Sequence, residues 1–435
     1  MSSPLSDEFI LPTNKQIGAT NHPEPESICT YLCGNSLGPL SKRSNTLVQE
    51  ELHAWGTCAV AGHFSTHPYG RGWVDFCDHI TPLFADLVGA KEKEVACMGT
   101  LTANLHLMMD SFYKPTSERY KILCEVRAFP SDQYAFASQA LAHGLDPAKA
   151  VLEMSPRPGE YTLREQDILD TIAKEGSSIA LVIFSGVQYY TGQWFPMQSI
   201  TRAAQAQGCI CGWDLAHAVG NVPLSLHDWS VDFAVWCTYK YVNAGPGSIA
   251  GLYVHEKWKE TELPKFAGWW GHDPATRFAM PPKFSPIEGA QGFQQSNPSI
   301  LAAASLLGSL QIFKEAGMMQ PLRDRSLQLT AALERLLMQS KYFVPVDEAP
   351  TRQSDNPAFT IITPTDPGSR GAQLSLLFLP TGMMLRIHDA IKSLGVIGDE
   401  RKPDVIRLAP APLFNTLKDC EQGALLLERA FDNLA

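Results

Sequence analysis

Two apolar segments in the middle of the chain each end at a residue that can do chemistry. Residues 209–213 (CICGW) are typical of a short buried strand and precede Asp214, and residues 231–237 (VDFAVWC) form a second such pattern that leads to Lys240. His217 follows Asp214 by three residues, so a helical turn places both on one face. A lysine amine can form a Schiff base with the aldehyde of pyridoxal 5′-phosphate (PLP), and a buried carboxylate can keep the pyridine nitrogen protonated. The same spacing also suits a helix-capping aspartate and a solvated lysine, so these residues alone leave both interpretations open.

Further motifs resemble the kynureninase family, whose members are PLP enzymes of the aspartate-aminotransferase structural class. The resemblance begins with WDLAHAVGNVPL (213–224) and DWSVDFAVWCTYKYVNAGPGS (228–248). It extends along most of the chain, through YLCGNSLGPL (31–40), GH (62–63), FPSD (129–132), GWWGH (268–272), QQSNP (294–298) and GVIGDERKPDVIRLAPAPLFN (395–415). Separated motifs in a constant order make the resemblance specific.

The resemblance implies a role for each matching residue. Lys240 would hold PLP and remove a substrate proton, Asp214 would keep the pyridine nitrogen protonated, and Tyr239 would bind the phosphate or relay a proton. The implied cofactor-binding residues are Leu101, Thr102, Phe129, Ser131, Asp132, Asp214, His217, Tyr239, Lys240, Trp269 and Asn297. In this structural class the last two contacts commonly come from a second subunit, which implies a homodimer with composite active sites.

Two of these positions have local patterns that favour ligand binding. Gly99 and Thr100 precede a predicted helix, and the free amides and dipole of a helix start bind phosphate well. Residues 129–132 follow the buried strand 120–126, and ligands of α/β folds collect at the carboxyl ends of strands. Each pattern alone is also typical of an ordinary cap or of packing.

The substrate contacts depend on an arginine in an otherwise apolar predicted strand. Arg407 lies in VIRLA (405–409), where it can form a surface ion pair or grip a carboxylate with two parallel hydrogen bonds. The resemblance assigns Arg407 to the α-carboxylate of the substrate, with Arg386 as the second candidate. It also places His63 at the aromatic ring of the substrate and Ser36 near the substrate.

The elements that must position these residues alternate between apolar strands and amphipathic helices. We predict strands at 95–98, 120–126, 151–154, 179–184, 209–213, 231–237 and 249–254, and helices at 41–55, 76–89, 134–143, 165–174, 200–207 and 300–313. This alternation predicts a largely parallel sheet between helix layers. Beyond residue 314 we predict a long helix at 322–340 and strands at 383–387 and 405–409.

The fold predicted from these elements and from the resemblance is α/β and PLP-dependent transferase-like (fold type I), with a smaller α+β C-terminal lobe. The predicted domains are an N-terminal arm and helix (1–60) that pack with the small lobe, a large PLP-binding domain (61–313) and a small C-terminal domain (314–435). A chain of 435 residues is long enough for two such lobes.

Composition excludes several other classes of protein. Hydrophobic residues make up 45% and charged residues 18% of the chain, and the formal net charge is −10 without a Lys/Arg block. We therefore expect no nucleic-acid partner and no membrane partner. The ten cysteines lack a disulfide or CxxC pattern and no secretory leader is recognisable, so we expect a cytoplasmic protein with reduced thiols. The histidines of residues 61–73 are too irregularly spaced for a metal site, and no metal is expected.

The activity that the resemblance implies is hydrolysis of L-kynurenine or 3-hydroxy-L-kynurenine. The products are anthranilate or 3-hydroxyanthranilate plus L-alanine, which places the enzyme in tryptophan catabolism and NAD biosynthesis. Two alternatives remain: a cysteine desulfurase or small aminotransferase on the same scaffold, and a PLP-binding protein without catalysis. A desulfurase needs a cysteine on a mobile loop near the substrate, and no cysteine stands out for that role.

Overall fold

The computed structural model describes residues 5–352 and 354–434 of the chain. The described residues form twelve α-helices: α1 (Lys42–Cys58), α2 (Thr81–Val88), α3 (Leu101–Phe112), α4 (Pro130–Ala142), α5 (Pro147–Ala150), α6 (Glu165–Glu175), α7 (Met197–Ala206), α8 (Pro274–Arg277), α9 (Ile300–Glu315), α10 (Met319–Met338), α11 (Met383–Ser393) and α12 (Leu417–Asp432). They also form fifteen strands: β1 (Phe9–Ile10), β2 (Thr30–Tyr31), β3 (Leu40–Ser41), β4 (Val95–Cys97), β5 (Lys121–Glu125), β6 (Val151–Met154), β7 (Ile179–Ser185), β8 (Ile210–Asp214), β9 (Phe233–Trp236), β10 (Gly251–Val254), β11 (Ala358–Ile361), β12 (Leu374–Leu379), β13 (Val396–Ile397), β14 (Asp399–Arg401) and β15 (Val405–Leu408). None of the twelve helices combines the length and the apolar character that a bilayer-crossing segment requires.

The larger sheet has seven strands in the order β4-β10-β9-β8-β7-β5-β6. The strands from β9 to β6 are parallel to one another, whereas β10 runs antiparallel to both of its neighbours. Six consecutive residues of β7 are buried, as expected for a strand that is covered on both faces. The predicted, mainly parallel sheet is confirmed, and the carboxyl ends of β5, β7 and β8 meet at one edge.

Alternate residues of β7 enter two separate hydrophobic cores, one on each face of the sheet. Leu181 and Ile183 pack in a core that includes α3 and α4, whereas Val182 and Phe184 pack in a core that includes α2, α6, α7 and α9. Full burial of each such side chain contributes about 1.5–3 kcal/mol. Both faces of the sheet therefore need a helix layer, as the alternation of strands and helices predicts.

The smaller sheet is antiparallel, with the order β11-β12-β15-β14. Helices α10, α11 and α12 pack against it through a third hydrophobic core. The predicted α+β lobe is confirmed, and its strand β15 carries Arg407.

One element of this lobe differs from the prediction. Residues 383–387, predicted as a strand, form the first turns of α11. The buried residues of this helix, Met383, Met384, Ile387 and Ile391, have the spacing of a helical face. A window of five residues is too short to distinguish this spacing from that of a buried strand. Arg386 consequently lies on the exposed face of α11.

The N-terminal helix packs mainly against the large domain. Helix α1 lies against α9, and its Leu47 and Ala54 are buried in the core of the large sheet. The close approach requires Gly308 of α9, because a Cβ there would lie 2.7 Å from the Ser44 Cα. The preceding arm does reach the small lobe, since β2 pairs with β13. The domain boundaries themselves stay a prediction.

Candidate active site

A pocket opens at the edge of the large sheet where the carboxyl ends of β7 and β8 meet the starts of α3 and α4. Nine predicted cofactor-binding residues line it: Leu101, Thr102, Phe129, Ser131, Asp132, Asp214, His217, Tyr239 and Lys240. Four further residues complete the lining: Ser185, Val187, Tyr189 and Ala216. The structure therefore brings together residues that are more than 130 positions apart in the sequence. We call this the Lys240 pocket.

The Lys240 amine is buried and faces a histidine. Its Nζ lies 3.0 Å from His217 Nε2 and 5.8 Å from the centre of the Phe129 ring. Burial lowers the pKa of the Lys240 ammonium, which makes the neutral, nucleophilic amine more accessible. The backbone at Lys240 lies close to Gly38 of the GNSLG motif. This approach requires a glycine, because a Cβ at position 38 would lie 2.5 Å from the Lys240 carbonyl oxygen.

Two buried carboxyl groups face the same pocket. Asp214 ends β8, and its Oδ1 accepts a hydrogen bond of 2.7 Å from the Ala216 backbone N–H. Asp132 lies in the first turn of α4, and its Oδ1 is buried without a hydrogen-bond partner among the described residues. Burial raises the pKa of both carboxyl groups, and the charge of Asp214 raises the pKa of Asp132 further. Proximity and burial therefore disfavour two negative charges on this pair, and the Ala216 N–H hydrogen bond favours the charged form at Asp214.

His217 is a neutral imidazole in this setting. Burial lowers its pKa well below the ordinary range, and the positive charge of Lys240 adds to the effect. Its backbone carbonyl accepts a hydrogen bond of 2.8 Å from the Asn221 amide, while its Nδ1 is buried without a partner among the described residues. A neutral ring can pack on a heteroaromatic ligand without the cost of burying a charge.

Two polar residues at this edge were not predicted from the sequence. Ser185 is the last residue of β7, and its hydroxyl donates a hydrogen bond of 2.5 Å to the buried Glu125 carboxylate at the end of β5. Tyr189 follows β7, and its ring meets Phe129 edge-on at 5.2 Å. A signal existed, because Ser185 directly follows the strand predicted at 179–184, and ligands collect at the carboxyl ends of such strands.

Glu125 gives a testable pH dependence of stability. Burial raises its pKa from 4.5 to about 7. The folded state therefore binds this proton more tightly than the unfolded state, and stability falls as the pH rises from 4.5 through 7. The full shift corresponds to about 3 kcal/mol. We expect Glu125→Gln, which keeps an acceptor for Ser185, to remove most of this decline in a melting-temperature series against pH.

The exposed Glu153 on the neighbouring strand β6 offers a matched control for that series. Glu153→Gln is expected to leave the pH profile of the melting temperature as in the wild type. If Glu125→Gln and the wild type show parallel profiles, Glu125 does not carry the raised pKa.

Five predicted site residues are not part of the lining of the Lys240 pocket in the single chain: Trp269, Asn297, His63, Ser36 and Arg407. Trp269 is half exposed, and its indole N–H donates to the Arg277 carbonyl at 3.1 Å. Asn297 is exposed. His63 packs against Trp73 with ring centres 5.0 Å apart. Ser36 is half-buried, and its backbone N–H donates to the Cys33 carbonyl at 3.0 Å.

Arg407 is fully buried beside the pocket, which excludes the surface ion pair. Its Nη1 donates a hydrogen bond of 2.7 Å to the carbonyl of Tyr189, a residue of the pocket lining. Its Nη2 donates to Asp399 on the adjacent strand. The second candidate, Arg386, is exposed on α11, so of the two arginines it is Arg407 that contacts a residue of the pocket lining.

A cluster of potential metal ligands lies elsewhere, at Glu94, His227 and His255, with ligand atoms within 4.8 Å of one another. These atoms already have partners. Glu94 accepts hydrogen bonds from the Glu256 backbone N–H at 2.8 Å and from His227 at 3.0 Å. His255 Nδ1 accepts from the Lys257 backbone N–H at 2.9 Å. The hydrogen bonds account for this cluster without a metal ion.

Sequence comparisons relate the chain to known proteins. A family model described as "Kynureninase C-terminal domain" matches residues 322–427, and one described as "Aminotransferase class-V" matches residues 41–363. The chain is 49% identical to a kynureninase of Saccharomyces cerevisiae, over 99% of this chain and 97% of the relative. It is 48% identical to a kynureninase of Yarrowia lipolytica, over 91% of this chain and 93% of the relative. For a kynureninase of Nematostella vectensis the identity is 47%, with coverages of 99% and 91%.

Comparison with solved structures supports the fold. A cysteine desulfurase from Thermococcus onnurineus superposes with a TM-score of 0.73 and 16% identity, covering 99% of this chain and 97% of that protein. The cystine C-S lyase C-DES, solved with cysteine persulfide, superposes with a TM-score of 0.74 and 18% identity. The superposition covers 93% of this chain and 97% of that protein. At these identities the likeness extends to the fold alone, which confirms fold type I.

Proposed function

The chain belongs to the kynureninase family of PLP-dependent hydrolases, and we propose that it cleaves L-kynurenine, 3-hydroxy-L-kynurenine or both. The products would be anthranilate or 3-hydroxyanthranilate plus L-alanine. The observation that carries the proposal is the Lys240 pocket, where a buried amine, two buried carboxyl groups and a neutral imidazole meet. Such a set suits a cofactor that must be held covalently and kept protonated.

The residues of the pocket fit PLP. Asp132 Oδ1 and His217 Nδ1 are buried and unpaired among the described residues, so a ligand with polar groups on its ring would satisfy them. We propose that Lys240, Asp214, His217 and Phe129 hold the cofactor ring. Ser131 and Asp132 would hold its polar edge, and Leu101, Thr102 and Tyr239 its phosphate. The free amides at the start of α3 support the phosphate assignment.

The bound cofactor would supply an electron sink for the bonds at the substrate α-carbon. Lys240 Nζ would accept the α-proton, because burial favours its neutral form. Asp214 would keep a negative charge against the ring nitrogen. Burial raises the pKa of the Tyr239 hydroxyl, so this group stays protonated at neutral pH and can donate to a phosphate or a carbonyl oxygen. Arg407 would bind the α-carboxylate of the substrate.

A single assay tests the function. The purified holoenzyme is incubated separately with L-kynurenine, with its 3-hydroxy form and with L-cysteine, and the fluorescent anthranilate product, released alanine and released sulfide are measured. Equal amounts of the anthranilate product and of alanine from one substrate support the proposal. The turnover rates with L-kynurenine and with its 3-hydroxy form rank the two substrates. Sulfide release from cysteine without anthranilate would instead indicate a desulfurase. Cofactor binding without turnover of any amino acid would indicate a protein that has lost catalysis.

We also propose that two copies of the chain form a homodimer with composite sites. Trp269 is half exposed and joins an exposed aromatic cluster with Phe278 and Phe64, with ring centres 5.5 and 6.1 Å apart. Exposed apolar patches of this kind mark interaction surfaces. Trp269, Asn297 and His63 would complete the site of the partner subunit.

Mixing two inactive variants tests the composite site. Trp269→Ala and Lys240→Ala each impair every site of their own homodimer. In a mixed dimer, one site combines the intact Lys240 of one subunit with the intact Trp269 of the other. After random exchange of equal amounts, about a quarter of the wild-type activity is expected, because half of the dimers carry one intact site of two. If mixing restores no activity while size exclusion shows subunit exchange, Trp269 does not act across the interface.

We place the reaction in tryptophan catabolism and NAD biosynthesis, in the cytoplasm. The pathway follows from the proposed substrate. All ten cysteines are free thiols, which supports a reducing compartment.

A further inference from the structure

We propose that Asp399 is the positioning residue that holds Arg407 in the orientation that binds the substrate α-carboxylate. This inference rests on the proposed function. Asp399 on β14 and Arg407 on β15 are direct cross-strand partners in the small sheet. Their charged groups are hydrogen-bonded, and both side chains are almost fully buried. Cross-strand partners of opposite charge on one face of a sheet interact strongly when they are buried.

The hydrogen bonds of Arg407 leave part of its guanidinium open. Nη1 donates to the Tyr189 carbonyl at 2.7 Å and Nη2 donates to Asp399. Nε is buried without a partner among the described residues. A guanidinium binds a carboxylate best through two parallel N–H groups, which requires that its plane be fixed. Tyr189 and Asp399 fix that plane at two nitrogens.

Asp399 is itself held from its other side by Arg401. Arg401 Nη2 lies 2.9 Å from Asp399 Oδ2, and Arg401 Nη1 lies 2.8 Å from Asp399 Oδ1. Two arginines and one aspartate carry a combined charge of +1 (two positive charges minus one negative charge), which one further carboxylate neutralises. The Arg401–Asp399–Arg407 group therefore provides charge for a single carboxylate and prevents two cations from lying side by side uncompensated.

The same contacts tie the anion site to the Lys240 pocket. Tyr189 belongs to the large domain and lines the pocket, while Arg407 and Asp399 belong to the small sheet. Gln373 adds a second bond between the lobes, since its Nε2 donates to the Tyr189 carbonyl at 3.0 Å. Because the Arg407 guanidinium is hydrogen-bonded to this carbonyl, its position relative to the Lys240 pocket is restricted.

The test replaces the charge of Asp399 and keeps its shape. For Asp399→Asn we expect the KM for L-kynurenine to rise about 10- to 100-fold, because a charge-assisted hydrogen bond that orients the guanidinium is lost. The kcat is expected to change much less, and the visible absorbance of bound cofactor is expected to persist. The inhibition constant of the substrate analogue that lacks the α-carboxylate should stay within about twofold of the wild-type value.

A double-mutant cycle shows whether Asp399 acts through Arg407. Arg407→Gln and the double variant Asp399→Asn/Arg407→Gln are expected to have similar KM values, since Asp399 has nothing to orient once the guanidinium is gone. Independent, multiplicative effects on KM would overturn the proposal. A change in melting temperature with unaltered KM would also overturn it, because that pattern indicates a merely structural ion pair.

Two further variants keep the result interpretable. Asp404→Asn removes another buried carboxylate next to the same sheet, one that accepts a hydrogen bond from the Gly382 backbone N–H, and it should leave KM unchanged.

If Asp399→Asn does not fold, Arg401→Gln provides a second test. It removes the ion pair that Asp399 forms with Arg401 and should raise KM by a smaller factor. An unchanged KM in that variant then counts against the proposal. Absence of kynurenine turnover in the wild type would refute the proposed function. Independent effects of the two substitutions on KM in an active enzyme would refute only the role of Asp399.

Discussion

Replacing Lys240 with alanine is expected to lower the turnover of L-kynurenine at least about a thousandfold. Among the described residues that line the pocket, Lys240 alone carries an amine, and this amine lies 3.0 Å from His217 in a buried site. The variant loses both the group that would hold PLP and the base that would take the α-proton. The steady-state rate by anthranilate fluorescence and the visible absorbance of bound cofactor measure the two losses.

Lys149→Ala provides a control for this variant, since Lys149 is exposed on the short helix α5. It is expected to retain wild-type turnover and absorbance. Borohydride reduction of the wild-type holoenzyme, followed by peptide mapping, should place the cofactor label on Lys240. A label on a different lysine, or steady turnover by the alanine variant, would refute the assignment of Lys240.

The large sheet was predictable because its strands are short, apolar and separated by helical spacing. The run predicted at 179–184 became β7, and the strand predicted at 209–213 ends at Asp214 as expected. Residues 383–387 were predicted wrongly as a strand. The spacing that identifies α11 extends to Ile391, beyond the short apolar window that the prediction used. A short apolar run therefore does not distinguish a helix from a strand, whereas a pattern that extends over about two helical turns does.

The part of the Lys240 pocket that could be predicted from local pattern consists of reactive residues that directly follow an apolar strand. Asp214 and Lys240 follow apolar strands, and their proximity depends only on the order of those strands. The contact of Arg407 with the Tyr189 carbonyl joins residues 218 positions apart and involves a backbone atom that carries no sequence signal. Asp399 was missed for a related reason, because its importance depends on the register that places it opposite Arg407.

Replacing Asp214 with asparagine is expected to leave the fold intact and to lower turnover about 10²- to 10⁴-fold. The asparagine Oδ1 can still accept the 2.7 Å hydrogen bond from the Ala216 N–H, so the local turn is preserved. The negative charge against the ring nitrogen is lost. The exposed Asp86 of α2 offers a control, and Asp86→Asn is expected to retain the wild-type rate. Near-normal turnover by Asp214→Asn would refute the role of this carboxylate.

The neighbouring Asp132 makes the pH dependence of this variant informative. Burial raises the pKa of Asp132, and the charge of Asp214 raises it further. Asp214→Asn removes that charge, so the pKa of Asp132 falls and its carboxylate forms at a lower pH than in the wild type. We therefore expect the residual turnover of Asp214→Asn to increase as the pH rises, and we expect Asp132→Asn/Asp214→Asn to lack this increase. A flat profile in the single variant would show that Asp132 cannot supply the missing charge, and that the position of Asp214 at the end of β8 is required as well as its charge.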